Sequence, residues 1–167
     1  MPVEFYWVLT TPTALAGMKY PRAGFPWSGI AVAGFSHVVS LHSGSYDPDP
    51  LSRLCAVSLE DLVHGGPPAN EDREVREIRK AVSATVNALR RGEGVVVHCC
   101  GGRGRTGTVL GRVLREFGYA ADGIVEWLDQ VHRRRSKSGW SESDWQAGLV
   151  RRWPGDVVPQ GGRHGRE

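Results

Sequence analysis

Cysteine is scarce in this chain: three in 167 residues, two of them adjacent. Three thiols make no disulfide framework, so small disulfide-stapled secreted folds are excluded and a reducing cytoplasm is the expected compartment. Long apolar runs are missing as well, and none approaches the length of a membrane-spanning helix. Met1-Pro-Val-Glu-Phe-Tyr-Trp lacks the basic start of a signal peptide. Charge is not lopsided either. A formal net charge of +3 and a pI near 9.0 suit an anionic substrate. No run is basic enough to argue for nucleic acid. What remains, 40% hydrophobic and 23% charged residues, is ordinary for a globular chain of one domain with a sizeable core.

One stretch stands out against that background: Val95-Val96-Val97-His98-Cys99-Cys100-Gly101-Gly102-Arg103-Gly104-Arg105-Thr106-Gly107. The β-branched run predicts a buried strand ending at His98. The spacing of Val109, Leu110, Val113, Leu114 and Phe117 predicts a helix after the loop, stopped by Gly118. A strand feeding a glycine-rich loop that opens a helix turns several backbone N–H groups and the positive helix end toward one point, which is an anion site. Five residues separate Cys99 from Arg105. That spacing lets the loop curl around a tetrahedral oxyanion, with the thiol at its floor and Arg105 forking two donors onto the anion's oxygens. A helix N-terminus, converging N–H groups and an arginine all favour the thiolate, which is the nucleophilic form. Thr106 adds a hydroxyl able to donate to the sulfur as it leaves.

His98 to Gly107 resembles the signature of the cysteine-dependent protein tyrosine phosphatase superfamily, and the compact chain resembles its dual-specificity branch most. The resemblance covers the chain coarsely from about Trp7 to Trp153 and specifically from Asp61 to Gly107. It implies an α/β fold with a central mixed sheet flanked by helices. It also implies two-step phosphomonoester hydrolysis through a phosphocysteine, with no metal or cofactor. On this reading Cys99 is the nucleophile and Arg105 the clamp on substrate and transition state. The backbone of Cys100, Gly101, Gly102, Arg103, Gly104 and Arg105 forms the cradle, and His98 orders the loop. The substrate is a phosphorylated protein or another phosphomonoester, and the chain acts as a monomer.

Such chemistry needs a carboxylic acid to protonate the leaving oxygen. The family carries it on a loop between a strand and the helix preceding the Cys strand. Asp61, followed by Gly65-Gly66-Pro67-Pro68, resembles that arrangement, although Leu59-Glu60 replaces the tryptophan and proline that precede the acid in tyrosine-specific members. Asp72 is the main rival, but with Glu71 and Glu74 it also suits a first helical turn. Glu60, Asp47 and Asp49 are the remaining candidates, the last two having turn formation as their simpler explanation. Glu142 and Gln146 are nearest to where tyrosine-specific relatives place a water-positioning glutamine, and neither is assigned.

In chain order, Glu4–Leu9 and Leu15–Pro21 read as a strand hairpin, and Trp27–Gly34 as a short helix. His37–Leu41 and Arg53–Leu59 read as strands, and Asn70–Arg91 as the longest helix, capped by Asn70. Asp122 is expected to cap a further helix ending in His132-Arg133-Arg134-Arg135, and Ser141-x-x-Asp144 to open the last. His37, His42 and His64 read as surface, strand-end or loop histidines, and Arg103 as a solvated loop side chain. Residues 1–153 form the expected catalytic domain and 154–167 a flexible tail.

Alternatives follow from the same residues. Gly102-x-Gly104-x-x-Gly107 also matches a dinucleotide-binding fingerprint, which requires a strand after the helix. An inactive phosphate-recognition module would lack Cys99, Arg105 or the acid. A redox protein or arsenate reductase could use Cys99, Cys100 and Cys55, with Cys55 favoured to trap an oxidised Cys99. A basic residue at 103 also resembles the superfamily's lipid phosphatases, which act on phosphoinositides.

Overall fold

The computed structural model describes residues 2, 4–135 and 138–153, so the tail expected over 154–167 lies outside the described residues. The strand centred on the three valines, β5 (Gly94–His98), is buried along its whole length. An apolar run with no polar alternation needs cover on both faces. Val95 and Val97 pack into one core cluster with Ile78, Val82, Val86, Val109 and Val113. Val96 packs into another with Trp27, Ile30 and Phe35. Burial of each valine contributes roughly 1.5–3 kcal/mol, which seats the strand firmly in the middle of the molecule.

Around it runs a five-stranded sheet, and the remaining strands are β1 (Phe5–Leu9), β2 (Leu15–Met18), β3 (Phe35–Ser40) and β4 (Ser52–Ala56), in the order β1-β2-β5-β3-β4. β1 and β2 form the expected antiparallel hairpin. β2, β5, β3 and β4 are mutually parallel. The sheet is therefore mixed, as the resemblance implied. Helix α1 (Trp27–Val32) covers one face, and Gly34 ends it at φ 102°. On the other face lie α2 (Glu71–Arg90), α3 (Gly104–Glu116), α4 (Ala121–Arg134) and α5 (Asp144–Arg151). Asn70 caps α2 as expected, its side chain accepting from the Arg73 N–H at 3.0 Å. A helix, α4, follows α3 where a dinucleotide fold would need a strand.

Three local expectations are corrected. The strand predicted over Arg53–Leu59 ends at Ala56. Beyond it the Val57 and Leu59 N–H groups still bond to Ser40 and Leu41 carbonyls, so the segment departs as a tethered loop. Asp122 does not cap α4. The chain enters through extended Ala120, which leaves Asp122 inside the first turn, paired with Arg151 at 3.3 Å. Nor does Ser141 open α5. Ser143 is the cap, accepting from the Trp145 N–H at 3.2 Å, and the Ser141 hydroxyl instead donates to the Ser143 carbonyl.

Candidate active site

In parallel sheets the strand ends and the loops after them converge at one edge, where ligands bind. Here the C-terminal ends of β5, β3 and β4 deliver residues 99–105, His42 and the 57–69 loop to that edge. Cys99 is 2% exposed, and the Gly102 N–H donates to its Sγ at 3.2 Å. Such a bond strengthens whenever the sulfur carries negative charge. Gly102 sits at φ 70°, and a Cβ there would lie 2.5 Å from the Lys19 nitrogen. The position therefore excludes side chains both conformationally and sterically. At Gly107 a Cβ would overlap the Trp140 indole, whose Nε1–H donates to the Gly104 carbonyl at 3.3 Å.

His98 is fully buried. Its Nδ1–H donates to the Cys99 carbonyl at 3.2 Å, and its Nε2 accepts from the Tyr46 hydroxyl. Burial, aided by the positive charge of Arg53 and the neighbouring His42, holds the imidazole at about 4 against the opposing pull of the Cys99 carbonyl. The ring is thus neutral at physiological pH and works as a fixed strut rather than a cation beside the thiol. Tyr46, stacked on Trp27, is itself pushed up to about 12 by burial.

Arg105 is only 7% exposed. Its Nη1 donates to the Leu59 carbonyl at 3.3 Å and lies 3.4 Å from His42 Nδ1. Its Nη2 donates to Asp61 Oδ2 at 3.4 Å. The structure therefore brings Asp61 to the guanidinium, while its other oxygen accepts from the Val63 N–H at 3.1 Å. The rivals lie elsewhere. Asp72 is in the first turn of α2, and Asp47 accepts from the Asp49 N–H in a turn. Glu60 faces its own loop, accepting from the Ala69 N–H at 2.8 Å. Glu74, read as a helix-start acid, is 3% exposed. It accepts from the Glu60 N–H at 2.8 Å, and burial raises its pKa. His42 lies just past the end of β3, as expected of a strand-end histidine, and there it is also a neighbour of the guanidinium. His64 is exposed, 3.8 Å from Glu60, as a loop histidine would be.

Arg103 is a correction. Its side chain is not solvated. Nε and Nη2 donate to Glu142 Oε1 at 3.2 and 3.1 Å, and Nη1 donates to the Ser138 and Gly139 carbonyls. That leaves its backbone N–H to the loop and gives Glu142 an assignment, as the anchor of that arginine. Gln146 is buried and accepts from the Glu142 N–H at 3.0 Å. Thr106 is fully buried, and its hydroxyl has no hydrogen-bond partner among the described residues. Cys55 is a second correction. It registers with Val39, which registers with Val97, so two strand spacings, about 9–10 Å, separate Cys55 from the β5 line before the offset to Cys99. That exceeds the reach of a disulfide, and burial also raises the Cys55 thiol pKa.

Tyr46 and Tyr6, which donates to the Gly102 carbonyl at 2.9 Å, were not legible as site residues. Each lies far from the loop in sequence, and no local pattern marks it.

Comparison with known proteins bears on the family and the fold. The family PTP-SAK (Swiss Army Knife protein, DSP-PTPase phosphatase domain) matches residues 2–143. The crystal structure of Tk-PTP in the active form is similar at TM-score 0.63 and 21% identity, covering 90% of this chain and 97% of that one. The kinase associated phosphatase (KAP), with its catalytic cysteine substituted by serine, gives 0.66 at 12% identity, covering 95% and 98%. PTPMT1 in complex with PI(5)P gives 0.60 at 15% identity, covering 89% and 92%.

Proposed function

The chain belongs to the DSP-PTPase phosphatases of the PTP-SAK family, within the cysteine-dependent protein tyrosine phosphatase superfamily, and on that premise we propose that it hydrolyses phosphomonoesters on proteins, phosphotyrosine foremost, through a phosphocysteine. The observation that carries this reading is the conjunction of three groups at one edge. The Cys99 sulfur accepts from the loop's own Gly102 N–H, Arg105 closes the loop, and Asp61 lies beside Arg105.

In the first step Cys99 Sγ attacks phosphorus and the phosphorus–oxygen ester bond breaks. Asp61 gives its proton to the departing oxygen. Arg105 and the loop N–H groups stabilise the equatorial oxygens, where charge is spread. In the second step water attacks phosphorus, Asp61 takes its proton, and the sulfur–phosphorus bond breaks. The buried Thr106 hydroxyl, with no partner among the described residues, is then available to donate to the leaving sulfur. Against a phosphoinositide substrate, the extra positive charge at Arg103 is already neutralised by Glu142.

The test is turnover on matched panels of phosphotyrosine, phosphoserine/threonine and phosphoinositide substrates, with Cys99→Ser as the blank. Turnover on phosphopeptides, absent in Cys99→Ser, is the expected result. Turnover confined to phosphoinositides overturns the protein-substrate assignment, and residual turnover in Cys99→Ser overturns the nucleophile.

A further inference from the structure

Tyr6 is buried on an edge strand, yet its hydroxyl ends beneath the catalytic loop. The ring crosses β2 at Gly17, with which Tyr6 is paired, and a Cβ at Gly17 would overlap that ring. The glycine is thus a gap through which the side chain reaches the loop. Two groups from the other side hold it in line. The His132 ring meets it edge-on at 5.2 Å, and the Arg135 guanidinium lies 4.6 Å over its face while bonding to the Phe5 carbonyl. At the far end the Tyr6 hydroxyl donates to the Gly102 carbonyl at 2.9 Å, across 96 residues of chain.

That carbonyl is a consequential place to hold. A trans peptide is planar, with its C=O and N–H on opposite sides. Pinning the Gly102 carbonyl toward Tyr6 therefore directs the Arg103 N–H away from it. The adjoining peptide supplies the Gly102 N–H, which donates to Cys99 Sγ. Gly102, at φ 70°, is free of the steric limits that would otherwise hold these two peptides in place. A loop rich in glycine needs an external anchor.

Building on the phosphatase reading above, we propose that Tyr6 is a positioning residue for the reaction: its hydroxyl locks the Gly102–Arg103 peptide from behind, fixing one N–H on Cys99 and turning the next toward the phosphoryl group. Tyr6 touches neither substrate nor reacting atoms, and it acts through the orientation of donors that do. Burial and the neighbouring Cys99 charge raise its pKa, so the phenol keeps the proton it donates.

Tyr6→Phe removes the hydroxyl and keeps the ring that packs on His132 and Arg135. In the full-length protein kcat falls by about tenfold with KM little changed, short of the roughly hundredfold or more that follows outright loss of an oxyanion donor. Affinity for vanadate, which mimics the five-coordinate transition state, falls more than affinity for inorganic phosphate. Alkylation of Cys99 by iodoacetamide at pH 7, followed by peptide mass mapping, slows by about fivefold as the thiolate loses part of its donor. A merely structural role predicts the opposite sign, because loosening the loop exposes a buried sulfur. Alkylation that is unchanged or faster overturns the proposal. Should Tyr6→Phe not fold, Gly17→Ala crowds the same ring off the loop with the hydroxyl retained, and the same slowing is expected. If the unaltered protein turns over no phosphomonoester, the phosphatase reading fails, and alkylation alone decides the role of Tyr6.

Discussion

Between His98 and Thr106 the chain is held from all sides, whereas between Val57 and Asn70 it is held at its ends. The first segment is bonded by Tyr6 at Gly102, by the Tyr20 N–H at the Cys100 carbonyl (2.9 Å), by Trp140 at Gly104 and by the Arg103–Glu142 pair. The second is pegged by buried Leu59 and Leu62, and its ends are joined through Glu74 to Glu60 and Glu60 to Ala69. Its crest is open: Val63 is 70% exposed, and the Asp61 side chain is half-exposed. Arg105 ties the two segments together, through the Leu59 carbonyl and the Asp61 carboxylate. The contrast matches what the proposed mechanism asks of each. Donors that stabilise a developing charge act best when they need no reorganisation. An acid that must admit a leaving group, and later a water, belongs on a segment able to shift.

The comparison breaks most severely if Arg105 is made flexible. Arg105→Lys keeps the charge and loses the fork, so turnover should fall by roughly 10³–10⁵, the range for an arginine that stabilises phosphoryl transfer. Steady-state kinetics on a phosphotyrosine substrate measures it, and a near-normal kcat would refute the clamp. The acid loop comes next. Asp61→Asn should slow esters of ordinary alcohols and phenols by roughly 10²–10⁴, and matter far less for a strongly electron-poor phenol. It should also flatten the basic limb of the pH profile alone. Asp72→Asn, in the first turn of α2, serves as the control, expected to lower stability without altering leaving-group dependence. A steep leaving-group dependence in Asp72→Asn and not in Asp61→Asn would exchange the two roles.

The smallest effect sharpens the rigid side. His98 titrates at about 4 when folded, mainly through burial, against about 6.5 when unfolded. Between those values the unfolded chain binds more protons, so stability rises with pH across this window. The contribution is complete above about pH 6.5 and lost as pH falls toward 4, amounting to about 3 kcal/mol. Urea unfolding from pH 7 to 4 should show that loss, and His98→Gln should lack it. An equally steep decline in His98→Gln would assign the acid sensitivity to other groups.

How far this was readable in advance depends on the distance over which each signal acts. Three consecutive valines predicted β5 because burial on both faces leaves no polar alternation. Asn70 predicted a cap because its carboxamide reaches a backbone N–H three residues on. Both are local. The misplaced starts of α4 and α5 were local too: Ser141 and Ser143 competed for the cap of α5, and α4 opens through extended Ala120, which no capping side chain marks. Arg103 read as solvated because Glu142 is 39 residues away, and Cys55 read as a partner for Cys99 because register between strands is invisible in a strand's own pattern.

The spacing from His98 to Gly107 by itself determined a thiol, a guanidinium and a run of glycines on a strand–loop–helix turn, because the order of those groups along ten residues is written in the local sequence. Only the tertiary structure decided which carboxylate stands beside Arg105 and what holds the glycines still. Asp61 is 44 residues from Arg105, His98 is 52 from Tyr46, and Tyr6 is 96 from Gly102. Contacts at such separations form only when the sheet order and the packing of both faces bring the segments together.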